Sequence, residues 1–214
     1  MDAIIEGLLY VQGDIGLTIK ENKDDNIYDI TIDPGHGGMD SGAVVDKKEE
    51  KDYTMAISTK IKNNLEKNGI KVKMTHTENQ LTKNDYFDEY NKNGRAVIPN
   101  EVKSKYTFSI HINQNNSSKA SGIEVYTPDN INYEFAKSLA DNLSKNTSFD
   151  YSNAKKYKMY NGVYTHTFSQ NEISNSLEGY KKKNYKPYNI TKTSNYLYII
   201  RETGGYMTGA YVDN

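Results

Sequence analysis

The stretch that decides the fold is Tyr28–Gly42, YDITIDPGHGGMDSG. Its front half, Tyr-Asp-Ile-Thr-Ile, alternates and carries β-branched residues, which predicts a buried strand. The strand stops at Asp33-Pro34, because proline cannot continue a sheet ladder. The chain then enters Gly35, His36, Gly37 and Gly38, where glycine opens backbone shapes closed to other residues. His36 is thereby put on a tight loop at a strand's C-terminal end, where α/β proteins keep their chemistry. A histidine framed by three glycines and a proline makes a poor core residue. A ligand or catalytic role is expected of it ahead of a plain turn position.

Downstream, DKKEEK at Asp46–Lys51 leads into a helix over 52–68, with Ile57, Ile61 and Leu65 on one face, Ala56 beside them, and Gly69 as its stop. IKVKMT at 70–75 reads as a second strand, and a helix is expected near 86–97. YTFSIHIN at 106–113 is an alternating strand ending at His111 and Asn113, and GIEVYT at 122–127 is the next. Residues 132–145 form a helix with Phe135, Leu139 and Leu143 inward. From 147 to 194 periodicity is lost, which reads as a long surface excursion with one short helix near 172–180. Excursions of this length inside a domain often serve function. YLYIIRE at 196–202 is expected as the last strand.

Upstream, residues 1–27 do not match the rest of the chain and form an appendage and linker, leaving 28–214 as the folded domain. AIIEGLLYVQGDIGLTIKE reads as a short amphipathic helix and turn, and it resembles the first helix of segregation and condensation protein B over about twenty residues. No basic n-region followed by an apolar core and cleavage site is seen, so no signal peptide is expected. The apolar run is too short to span a bilayer.

The chain has 214 residues, is 36% hydrophobic and 26% charged, and suits one α/β domain better than two. Its net charge of −1 gives no general reason to bind nucleic acid or a membrane surface. The absence of cysteine excludes disulfides and thiolate zinc sites. The 19 tyrosines, alongside so much Asn, Lys and Ile, fit compositional bias better than a sugar-stacking surface.

Three features converge on one chemistry. His36 ends one strand, His111 ends another, and a carboxylate opens the first long helix, where the helix dipole favours it. Two imidazoles and one carboxylate are a familiar catalytic zinc set with a fourth position for water. By chemistry alone Glu49 and Glu50 are equal candidates.

The strand followed by DPGHGG, the EKD at 50–52, and SIHIN at 109–113 resemble the zinc-dependent N-acetylmuramoyl-L-alanine amidases of type 3, found among sporulation and cell-division enzymes and phage endolysins. Arg95, Asn100 and GIEVY at 122–126 extend the pattern, which covers roughly residues 28–145. The resemblance implies a single α/β domain with a mixed, mostly parallel sheet flanked by helices, and zinc held by His36, Glu50 and His111. It selects Glu50 because the family ligand stands directly before the Lys-Asp pair. It also implies hydrolysis of the amide joining N-acetylmuramic acid to L-alanine of the stem peptide. Peptidoglycan is then the partner, with neither nucleic acid nor membrane, and a monomer acting in the cell wall or outside the cell is expected. Asp40 and Asn113 are candidates for orienting ligands or substrate.

The resemblance implies a general-base glutamate on a strand near the C-terminus, where Glu202 in IIRETG is the nearest match. On a rival alignment YLYIIRET is the penultimate strand, the chain stops at Asn214 before its catalytic glutamate, and the product is an impaired homologue that binds cell wall or a protein partner. His76, in MTHT, stands where the family has arginine and is not expected to be a ligand. His166 is expected on the surface. A phosphate cradle is disfavoured, since neither GxGxxG nor GK[ST] spacing is present.

Overall fold

Three parallel strands carry the architecture. In the computed structural model, which describes residues 27–77, 94–95, 97–112, 121–128, 133–182, 190–194, 196–197 and 199–200, the central one is β1, Ile30–Pro34, buried along its whole length. It is flanked by β4, Val72–Met74, and β5, Tyr106–Ile110, in the order β4-β1-β5. Ile30 is in register with both Val72 and Tyr106. A strand with parallel neighbours on both sides has to be covered on both faces, so no exposed alternation is visible in it.

Between β1 and β4 run a short hairpin and a long helix. β2, Val44–Val45, and β3, Lys48–Glu49, pair antiparallel about Asp46 and Lys47, both at positive φ (49° and 64°). That two-residue turn has the twist a tight hairpin requires. The hairpin runs directly into α1, Glu50–Lys67. The face set by the 3.6-residue period packs as expected: Ile61 joins Ile30, Ile32, Ile70 and Val72 in the main core, with Ile57 and Leu65 against it. The helix ends in a Schellman arrangement at Gly69 (φ 79°), where Gly69 N–H donates to Glu66 O and Ile70 N–H to Leu65 O.

α2, Val97–Glu101, precedes β5. The expected helix over 86–97 lies almost wholly outside the described residues. A second, smaller sheet has the order β6-β8-β7, with β6 at Val125–Tyr126, β7 at Lys158–Tyr160 and β8 at Val163–Tyr164. β6 is parallel to β8 and β7 antiparallel to it. α3, Glu134–Asn146, joins the two sheets. Its fully buried residues are Ala136 and Ala140, packed with Val163, while Phe135 reaches the rings of Tyr106 and Phe108 at 5.5 and 5.8 Å. Leu139 and Leu143, expected inward, are only half-buried. Small side chains let this helix approach the β-layer closely, and they take the most buried positions.

The described part of the region 147–194 holds more regular structure than its sequence suggests. It holds the β7–β8 hairpin and α4, Gln170–Lys182, which starts two residues before the expected helix. Ser169 and Glu172 form a capping box: Ser169 N–H donates to Glu172 Oε2 (2.8 Å) and Glu172 N–H to Ser169 Oγ (3.3 Å). Of the expected strand 196–202, Tyr196, Leu197, Ile199 and Ile200 are described; the first two lie in a bend and the last two are helical. Alternation in so short an apolar run does not by itself exclude a helical turn. Among the described residues no helix is long and apolar enough to cross a membrane.

Candidate metal centre

The site grows from the C-terminal end of β1. Gly35 extends the β1–β5 ladder by one bond, its N–H donating to Ile110 O at 2.8 Å. His36 then takes φ 64°, a left-handed value sparsely populated by residues with a Cβ. The chain folds back at once through a bridge between Gly37 and Asp40. This return brings the Asp40 carboxylate onto the ring it follows: Asp40 Oδ2 lies 2.7 Å from His36 Nδ1, and Asp40 Oδ1 accepts Gly42 N–H at 3.0 Å. A carboxylate can only accept here, so the Nδ1 proton is held by Asp40, which leaves Nε2 as the nitrogen whose lone pair can ligate.

Glu50, the first residue of α1, faces that lone pair, with Oε2 3.1 Å from His36 Nε2. Its carboxylate is buried and fixed from both sides, Oε2 accepting Ala43 N–H (3.0 Å) and Oε1 accepting Ile112 N–H (2.7 Å). Burial pushes this carboxyl up, but the two amide N–H groups and the imidazoles of His36 and His111 outweigh it and hold it below the usual range. His111, first after β5, completes the set: its Nδ1 lies 3.2 Å from His36 Nε2 and 3.3 Å from Glu50 Oε1. The outer edge of His111 reaches solvent, but its inner edge is crowded. Burial, followed by the proximity of His36, pushes its basicity down, and Asp33 and Glu50 offset this only partly. The neutral ring, which is the ligating form, is favoured.

One ligand atom from each of His36, Glu50 and His111 lies within 4.8 Å of the other two. Two imidazole nitrogens and a carboxylate oxygen converge, with His36 oriented by Asp40 and the Glu50 carboxylate by Ala43 and Ile112. The donor set fits a zinc ion, which takes nitrogen and oxygen donors of this kind in catalytic centres. Two glycines make room for the three side chains. A Cβ on Gly42, which is also at φ 64°, would stand 2.5 Å from His36 Cδ2 and 2.8 Å from Glu50 Oε2. One on Gly35 would stand 2.5 Å from His111 Cε1.

The other candidates separate clearly. Glu49 points away and pairs with Lys51 at 2.7 Å. Asn113 and Glu202 lie outside the described residues. His76 is buried, with Nδ1 3.0 Å from Thr75 Oγ1 and, among the described residues, no hydrogen-bond partner on Nε2. Burial, with Arg95 beside it, pushes it down to about 4. His166 is not a surface residue: its side chain is 12% exposed, bonded to Glu172 at 3.2 Å and stacked between Tyr157 and Tyr196 at 3.7 and 4.2 Å. The Tyr-rich composition had concealed those ring partners. The hairpin that presents Glu50 was also missed, since Val-Val-Asp-Lys-Lys-Glu carries no glycine to mark its turn.

Residues 30–208 match the N-acetylmuramoyl-L-alanine amidase family, and the chain belongs to it. Among similar proteins are the germination-specific N-acetylmuramoyl-L-alanine amidase of Bacillus subtilis and the "Probable cell wall amidase LytH" of Staphylococcus aureus. The first is 30% identical over 143 residues, covering 63% of this chain and 59% of that protein. The second is 35% identical over 117 residues, covering 53% and 34%. The chain thus spans little more than half the length of one relative and a third of the other. A solved N-acetylmuramoyl-L-alanine amidase from Clostridium difficile 630 aligns at 32% identity over 54% of this chain and 59% of that one, with a TM-score of 0.42.

Proposed function

We propose that this protein is a zinc-dependent peptidoglycan hydrolase. It cleaves the amide between the lactyl group of N-acetylmuramic acid and L-alanine of the stem peptide, in the cell wall or outside the cell. The observation that carries this is the convergence of His36 Nε2, Glu50 and His111 Nδ1 within 4.8 Å, in a chain of the amidase family. His36, Glu50 and His111 would hold the ion. Bound there, zinc supplies a Lewis acid that polarises the scissile carbonyl and makes a water more acidic.

The chain's own residues do the rest. Asp40 keeps the proton on His36 Nδ1, so that Nε2 presents its lone pair throughout turnover. The N–H groups of Ala43 and Ile112 hold Glu50 ionised and in one orientation. Glu202 takes the proton of the attacking water and hands it to the departing L-alanine amine, as general base and then general acid.

The test is release of new L-alanine amino termini from purified peptidoglycan, with and without chelator, by wild type and Glu202→Gln. Release abolished by both supports the whole reading. Release that survives Glu202→Gln moves the base elsewhere. No release by a folded, zinc-loaded chain leaves a protein that binds wall or a partner without cutting it.

A further inference from the structure

The loop that carries His36 leaves β1 with three successive carbonyls, and each is taken by a side chain from elsewhere in the fold. Arg95 Nη1 donates to Pro34 O at 3.3 Å, Thr54 Oγ1 to Gly35 O at 2.6 Å, and Arg95 Nη2 to His36 O at 2.9 Å. The backbone held in this way includes His36 at φ 64°, a shape that persists only where its surroundings impose it. Arg95 is itself anchored. Its Nη1 lies 3.5 Å from Asp33 Oδ1, and Asp33 is 1% exposed. The same carboxylate accepts Thr75 Oγ1–H (2.8 Å) and Ser109 Oγ–H (2.6 Å). Asp33 lies on β1, Thr75 directly follows β4 and Ser109 lies on β5, so the three strands are stitched together beneath the loop.

Thr54 sits four residues after Glu50 on α1, and positions four apart share a helix face. One rigid helix therefore presents a carboxylate to His36 Nε2 and a hydroxyl to the carbonyl just before that histidine. Thr54 thereby ties α1 to the carbonyl that precedes His36, on the helix from which Glu50 Oε2 comes within 3.1 Å of His36 Nε2. Arg95 fixes the loop from the opposite side, its planar fork spanning two carbonyls and an anion, which a lysine ammonium does not match. We propose that Thr54 and Arg95 are positioning residues of the metal centre, fixing the His36 backbone so that Nε2 meets the other two ligands.

This rests on the zinc reading above, and the experiment keeps the two apart. The dissociation constant for zinc is measured by competition with a chromophoric chelator on the full chain. Wild type is compared with Thr54→Val, Arg95→Lys, Arg95→Met and Ile61→Ala, the last a change in the main core away from the loop. Thermal melts of the metal-free proteins are recorded alongside. Thr54→Val and Arg95→Met are expected to bind zinc roughly 10–100-fold more weakly. Arg95→Lys recovers part of the melting temperature but not the affinity, and Ile61→Ala melts lower yet binds zinc as wild type does. If Arg95→Met does not fold, Thr54→Val decides. Wild-type zinc affinity in folded Thr54→Val overturns the proposal, as does an equal loss of affinity in Ile61→Ala at a similar melting temperature. A wild type that binds no zinc overturns the metal centre itself, and this proposal with it.

Discussion

Alanine at Gly35 puts one carbon 2.5 Å from His111 Cε1, 2.6 Å from His111 Nδ1 and 2.6 Å from Ile110 O. Non-bonded carbons rest about 3.5–4.0 Å apart, so about 1 Å has to be found. Ile110 O gives way only by straining the last bond of the β1–β5 ladder, since that oxygen accepts Gly35 N–H at 2.8 Å. The His111 ring is the part free to swing, and its Nδ1 then leaves its position 3.2 Å from His36 Nε2 and 3.3 Å from Glu50 Oε1. Overpacking of this kind destabilises by about 1–3 kcal/mol, which a fold of this size tolerates. A displacement of about 1 Å at a catalytic centre costs about 100-fold in rate. The expected signature of Gly35→Ala is a drop in melting temperature, from strain at Ile110 O, together with a large loss of zinc affinity and of amidase activity. Chelator competition, peptidoglycan hydrolysis and a thermal melt read the three. A folded Gly35→Ala protein with wild-type zinc affinity would refute the argument that close packing against this glycine places His111.

Glu50→Gln is expected to abolish tight zinc binding, whereas Glu49→Gln, which breaks only the pair with Lys51, leaves it unchanged; isothermal titration of the two variants decides which carboxylate is the ligand. Asp40→Ala removes the acceptor on His36 Nδ1 and is expected to weaken zinc by about 10–100-fold, with the His36 tautomer population shifting in nitrogen-15 NMR spectra. His76 gives a pH dependence of known sign. Its folded value is pushed down to about 4 from 6.5, chiefly by burial, so between those values the unfolded chain binds the extra proton. Stability from this group is complete above 6.5 and is lost as pH falls towards about 4, with a ceiling of about 3 kcal/mol. Urea unfolding of the metal-free protein across that window should show the slope, and His76→Gln should flatten it.

The parts legible in the sequence were those whose signals are local. Ile30, Thr31 and Ile32 announced a buried strand, Pro34 its end, and Ile57, Ile61 and Leu65 the buried face of α1. His36 was marked by its glycines and His111 by its place at a strand end. Chemistry alone did not separate Glu49 from Glu50; the separation is spatial, since Glu49 ends β3 while Glu50, the first residue of α1, is the one that meets Ala43 N–H and Ile112 N–H. The region 147–194 was underread because tertiary contacts define it: Val163 packs on Ala136 and Ala140 of α3, and His166 lies between two rings distant in sequence. One signal there was readable, as Ser169-x-x-Glu172 is the capping box that starts α4. The positioning role of Thr54 had no signature at all, because a threonine facing inward on a helix looks the same whether or not a loop carbonyl lies opposite.

His36 and His111 stand 75 positions apart in the chain and belong to neighbouring strands, while Glu50 belongs to the helix laid across them. No short peptide from this protein contains the donor set, so the unfolded chain offers a metal little more than scattered single ligands. An ion that binds the folded form alone shifts the folding equilibrium by mass action, by about 4 kcal/mol at a thousand times its dissociation constant. Holding zinc, the centre would be a clasp as well as a reagent: it would close the long stretch of chain that runs from the end of β1 to the end of β5. Zinc supply would set the lifetime of the folded protein, and its susceptibility to proteases, in step with its capacity to cut.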